Sequence, residues 1–195
     1  MPTMRTSLLA AVPLLALLFA VQPTEAAPKK KYHFELAAVT AKPAVATDVA
    51  ASAIPRVQAQ LAKQWDANAQ LVQTLDGAPA KTAEQSYRKY LAKKKIAGAY
   101  LVTVEITAAE ESVEPMDSKP KTQRMTVRLA IHVLGETIPG RTMGFTGDGK
   151  ATIKQEIGLK VNARDREYAW DQASELAIQD AMATVFKQLA IPAKT

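Results

Sequence analysis

Met125-Thr126-Val127-Arg128-Leu129-Ala130-Ile131-His132-Val133 sets a large apolar side chain at every second position, with small or polar residues between. That period matches a pleated strand, whose successive side chains point to opposite faces, so the segment reads as a half-buried strand. Tyr100, Val102, Val104 and Ile106 repeat the pattern upstream. Between the two runs lies Ala108–Lys121, with Glu110, Glu111, Glu114 and Asp117 beside Pro115 and Pro120. Its composition predicts an exposed acidic loop, residues 108–121, joining antiparallel neighbours.

Working outward toward the amino end, Tyr87, Tyr90 and Leu91 give Thr82–Lys95 a helical stripe, and Gly98 is placed to end the helix. Asp76-Gly77-Ala78-Pro79 signals a turn after a short strand containing Leu71, Val72 and Leu75. Ile54, Val57, Leu61 and Trp65 recur at helical spacing. Thr47 or Asp48 is suited to cap that helix, and Pro55 belongs in its first turn or marks a later start. Tyr32–Thr40 reads as the first strand.

Toward the carboxyl end, Thr142–Phe145 and Lys150–Ile157 read as extended, with Gly147-Asp148-Gly149 a bend or bulge between them. Asp165–Leu189 is a long helix with Trp170, Ala177, Ile178, Ala181, Met182, Val185 and Leu189 on one stripe. Its alanines allow close approach to a sheet. Residues 32–191 are thus expected to form a single α+β domain: a two-layer sandwich of mostly antiparallel sheet with helices on one face.

Ahead of that domain, Arg5 precedes an apolar run from Leu8 to Val21 and then Gln22-Pro23-Thr24-Glu25-Ala26. A positive amino end, a short apolar core and small residues before a cut describe a signal peptide over residues 1–26, cleaved after about Ala26. The run is shorter than the ~20 residues that span a bilayer as a helix. No transmembrane segment is expected in the mature form, whose localisation is then periplasmic or secreted, in a bacterium. The chain has no cysteine, which excludes disulfides, thiol nucleophiles, thiolate metal sites and lipid attachment through a cysteine. Its net charge is +6, part of it in a basic tail, residues 27–31, holding Lys29, Lys30 and Lys31, and part in Lys93–Lys95. Such clusters can meet an anionic polymer, although lysines at a helix end also complement its dipole.

Gly98-Ala99-Tyr100-Leu101-Val102, Leu134-Gly135-Glu136-Thr137-Ile138 and the alanine-rich Glu167–Leu189 occur in that order. The chain thereby resembles a superfamily of bacterial envelope domains: the amino-terminal domain of TolB, the curli secretion lipoprotein and the lipoprotein activators of penicillin-binding proteins. In that family a Gly-Ala-Asp strand, a strand closed by Thr-Gly-Glu-Ile and a long terminal helix recur. Here Tyr100 stands in place of the aspartate, and Val104 where a glycine is usual. The resemblance implies roles in binding and envelope assembly and carries over no site residue.

Motifs for catalysis fail on their details. Gly144-Phe145-Thr146-Gly147-Asp148-Gly149-Lys150-Ala151 approaches a phosphate-binding loop, but Ala151 has no hydroxyl for magnesium and the following segment is extended. His33 and His132 fall on different strands without ligand-spaced partners. Ser174 has no nucleophile elbow and is expected to bond back to the preceding turn. Trp65, Tyr87, Tyr90 and Trp170 could line a groove, but their helical spacing favours the core. No cofactor, metal or nucleic acid is implied. The expectation is an exported non-catalytic domain that binds an envelope or secreted protein partner or an anionic polymer, through Glu110, Glu111, Glu114, Asp117 and Lys29–Lys31. The rival reading is a small exported hydrolase with its site around Glu35, His33 or His132.

Overall fold

A computed structural model describes residues 30–191, so the expected signal segment and Lys29 lie outside the described residues. Eight elements follow in order: β1 (Lys31–Ala41), α1 (Thr47–Asp66), β2 (Leu71–Val72), α2 (Glu84–Lys93), β3 (Ile96–Pro115), β4 (Gln123–Thr137), β5 (Met143–Ile157) and α3 (Ala163–Gln188). The strands form one five-stranded sheet in the order β2-β1-β3-β4-β5.

The α+β class is as expected, but the sheet is mixed. β1 runs parallel to both β2 and β3, while β3, β4 and β5 are antiparallel. The cause lies in the element order. A helix carries the chain from one end of β1 back to the start of the next strand, and that crossover leaves the two strands parallel. The helices are not confined to one face either. α1 and α3 cover the face that carries Val102, Val104 and Ile106. Tyr87 and Leu91 of α2 pack instead with Ile96, Ala99 and Leu101, and Ala99 and Leu101 alternate with Tyr100 and Val102 along β3. Alternation puts α2 on the opposite face, so the expected single-sided sandwich is corrected.

The acidic loop is corrected as well. β3 continues through Pro115, pairing Glu110 with Arg128 and Glu114 with Arg124, and the connection to β4 shrinks to residues 116–122. A register shift between Ile106 and Ala108 explains why the alternation seemed to stop. One extra residue, Thr107, reverses the parity: even positions point inward up to Ile106, odd positions from Ala109 onward. Ala109, Glu111 and Val113 therefore share the inward face with Leu129, Val127 and Met125.

β5 is likewise one continuous strand rather than two with a bend. Its glycines serve packing. A Cβ on Gly149 would stand 2.8 Å from the backbone nitrogen of Ala181 and nearer still to the carbonyl oxygen of Ala177, and one on Gly147 would stand 2.9 Å from Val185. Bare backbone on β5 and small side chains at Ala173, Ala177 and Ala181 let α3 lie directly on the sheet. This accounts for Gly147 and Gly149 of the phosphate-loop-like stretch, while Gly144 leaves room for the Tyr100 ring.

Helix boundaries follow local chemistry. Asn162 caps α3, its side chain accepting from the Asp165 N–H at 2.8 Å. α1 starts at Thr47 without a side-chain cap and keeps Pro55 within it. α2 ends before Lys95, which takes the left-handed conformation (φ 57°) expected of Gly98; Gly98 belongs to β3. In the core, the Phe34 ring meets Trp65 and Tyr100 edge-on at 5.5 and 5.8 Å and lies 5.2 Å from Phe145. Trp65, Tyr87 and Trp170 are buried, as helical spacing predicts.

Candidate functional site

The two helices on the inner face do not close on each other along their whole length. Between α1 and α3 lies an open groove of about 560 Å³. Gln60, Lys63, Gln64 and Asn68 line it from α1 and the turn after it; Glu175, Ile178, Gln179, Ala183 and Phe186 line it from α3. Ile178 and Phe186 are buried and form an apolar floor, while three glutamines and an asparagine supply carboxamides around it. The Gln64 Oε1 is buried and accepts no hydrogen bond from any described residue. An acceptor withdrawn from water without a donor is unfavourable, so this oxygen, closed to solvent behind the groove wall, is a cost to the fold. A carboxamide rim over an apolar floor suits a peptide, whose amides both donate and accept. One edge of the interface is closed by the ion pair between Arg56 and Asp171.

Sequence reasoning did not find this groove. Its residues come from two helices over a hundred positions apart, and glutamines on a helix read as ordinary solvated side chains.

The acidic residues singled out from the sequence separate. Glu111 turns inward because of the Thr107 bulge; its carboxylate accepts from the Trp170 indole N–H and from Arg166 Nε, each at 2.9 Å. Glu110 and Glu114 point to the other face, where Glu110 pairs with Arg128 at 3.4 Å. Asp117 is exposed in the turn after β3. Lys30 and Lys31 are exposed at the start of β1, and the Lys30 carbonyl accepts from the Gln70 side chain. The lysines and the acids thus do not form one surface.

The residues of the hydrolase reading lie on the outward face of the sheet. His33 is buried; its Nδ1 donates to the Val72 carbonyl at 2.7 Å, and its Nε2 lies 3.8 Å from Glu35, which also binds Lys81. Burial lowers the His33 pKa, against the opposing pull of the Val72 carbonyl and of Glu35. His132 is a partly exposed residue bonded to Asp148 at 2.8 Å. None of His33, Glu35 and His132 lines the α1–α3 groove or the shallower hollow beside Pro55. Ser174 is fully buried, and its Oγ has no partner among the described residues, contrary to the expected bond to the preceding turn.

No family model matches the chain, and no curated protein matches it. Solved structures do. A hypothetical protein from Chlamydia trachomatis is 11% identical, with a TM-score of 0.45 over 83% of this chain and 99% of that one. Rare lipoprotein B from Shewanella oneidensis is 9% identical, with a TM-score of 0.38 over 80% and 96%. A minor lipoprotein from Acinetobacter baumannii is 14% identical, with a TM-score of 0.34 over 83% and 90%. None of these three is the TolB domain, the curli secretion lipoprotein or a penicillin-binding-protein activator. Among the described residues, no helix is long and apolar enough to cross a membrane.

Proposed function

We propose that this protein is a non-catalytic domain, exported to the bacterial envelope, that binds a protein partner in the groove between α1 and α3. The observation that carries the reading is the open groove itself, which sets the carboxamides of Gln60, Gln64, Asn68 and Gln179 around the apolar floor of Ile178 and Phe186. The envelope assignment rests on the signal-like segment 1–26 and on the family resemblance. The two short stretches of that resemblance are neighbours in space: Tyr100, Leu101 and Val102 pair with Thr137, Glu136 and Gly135, and the Ile138 N–H donates to the Ala99 carbonyl at 2.8 Å. Segments far apart in sequence thus make one structural unit.

A photo-reactive amino acid at exposed Gln179, on the groove, tests the reading in living cells, with the same residue at exposed Lys154 on β5 as control. One discrete protein adduct from position 179 and none from 154 is the expected result. A glycan-sized smear, equal adducts from both positions, or none from 179 would overturn it.

A further inference from the structure

Two runs of lysine that lie far apart in the sequence, Lys30–Lys31 and Lys93–Lys95, meet at one corner of the fold. β1 runs parallel to β3, so the two strands start side by side. Lys31 pairs with Ile96, and Lys95 is the residue before it. One strand spacing plus one Cα step puts the backbones of Lys31 and Lys95 within about 9 Å of each other. Lys93 and Lys94 close α2 just upstream, and Lys30 immediately precedes β1. All five residues are exposed. Among the described residues, none of the five forms an ion pair. The acids of β1 and α2 are engaged elsewhere, Glu35 with Lys81 and Glu84 with Arg88.

Lysines at the end of a helix complement its dipole, which accounts for Lys93 and Lys94 but not for Lys30 and Lys31 at the start of a strand. Nor does it account for Lys95, whose left-handed backbone (φ 57°) favours glycine. That position holds a charge where an uncharged residue would fold more readily. The separations within the corner are comparable with the roughly 8 Å over which salt screens charges, so the five repel one another. An anionic surface relieves that repulsion.

We propose that this lysine corner binds the anionic lipid surface of an envelope membrane as a peripheral contact. What favours a bilayer over a soluble polymer is where the corner falls in the chain. Lys30 stands nine positions after Val21, the end of the apolar run in the expected signal segment. Nine extended residues span at most about 32 Å. The corner is therefore the first folded part of the chain to meet the surface that such a segment enters. Neither the α1–α3 groove nor its occupant enters the argument, so either proposal can fail alone.

The expected processed chain, residues 27–195, is the protein to test, because the core described above lies within residues 30–191. It is sedimented with phosphatidylcholine vesicles and with vesicles carrying about one-third phosphatidylglycerol, at low salt and at about 0.5 M sodium chloride. Binding to the anionic vesicles alone, lost at high salt, is the expected result. One lysine near an anionic surface changes binding about fivefold, so Lys30→Gln with Lys31→Gln, and Lys93→Gln with Lys95→Gly, should each bind about 25-fold more weakly. Lys150→Gln with Lys154→Gln removes the same charge from exposed positions on β5 and should stay within about twofold of the wild type. Lys95→Gly alone should be at least as stable in urea as the wild type while binding less, which separates the charge from the fold. No binding to the anionic vesicles, equal losses from the corner and β5 pairs, or a loss confined to one of the two lysine runs would overturn the inference. So would inorganic polyphosphate that displaces the protein from vesicles at equal phosphate, since the corner would then serve a soluble polymer.

Discussion

The Glu111 carboxylate on β3 bridges to α3 by accepting the Trp170 indole N–H at 2.9 Å while it also holds Arg166. Trp170 is buried and its N–H has this one partner among the described residues, so the bond joins the far end of the long strand to the first turns of the last helix. Removing Glu111 leaves the indole donor unsatisfied, which costs about 1–3 kcal/mol. Glu111→Ala is expected to lower stability by that amount and to shift Trp170 emission. Glu110→Ala, which breaks only an exposed pair with Arg128, should change stability by less than about 1 kcal/mol. Urea melts followed by tryptophan fluorescence check both.

The contact of α3 with β5 tolerates no side chain at Gly149. Gly149→Ala forces backbone of the helix away from backbone of the strand and is expected to cost about 3 kcal/mol or more. Gly158→Ala, where a Cβ would meet nothing within 4 Å, should lie within about 0.5 kcal/mol of the wild type. Equal denaturation midpoints for the two variants would contradict the close packing described.

Ser174 offers a change in the opposite direction. Its Oγ is buried without a partner, and alanine is the better helix former. Ser174→Ala is therefore expected to stabilise the fold by about 0.5–1 kcal/mol, by removing an unsatisfied hydroxyl. A loss of stability would show that the hydroxyl is bonded in solution.

His33 gives stability a dependence on pH. Burial holds its folded pKa below the unfolded value, so the unfolded chain takes up the proton more readily. The neutral imidazole's contribution is full above the unfolded pKa and is lost as pH falls through the folded one. Near neutral pH, His33→Gln should be the less stable protein, because it replaces the bond to the Val72 carbonyl imperfectly. The gap should narrow between about pH 7 and about pH 5. Urea midpoints of both proteins across that range provide the check; a constant gap would refute the assignment.

Elements whose side chains keep one period were legible in the sequence. β4, α3 and the apolar stripe of α1 lie where alternation or helical spacing puts them, because each buries one unbroken face. Misreadings arose where a single residue broke the period or where a distant partner decided the outcome. Thr107 ended the visible alternation of β3, and the acids and prolines that followed then looked like a loop. The parallel pairing of β1 was implied by its helical crossovers but was outweighed by the strong antiparallel pattern of β3 and β4. Gly147 and Gly149 looked like a bend because the helix that needs them bare lies some thirty positions away. The groove was illegible for the same reason. Gln64 becomes notable only when α3 removes water from its oxygen.

The bulge at Thr107 divides β3 into two stretches written in opposite phase. Each stretch makes sense alone: Tyr100 to Ile106 inward on even positions, Ala109 to Val113 inward on odd ones. Thr107 is the punctuation between them, skipped where Ile106 pairs with Ile131 and Ala108 with Ala130. Drawing it into the ladder would turn Glu111 to solvent and press Glu110 and Ser112 against the core. What the far half of this strand buries depends on one residue being left out of the pairing.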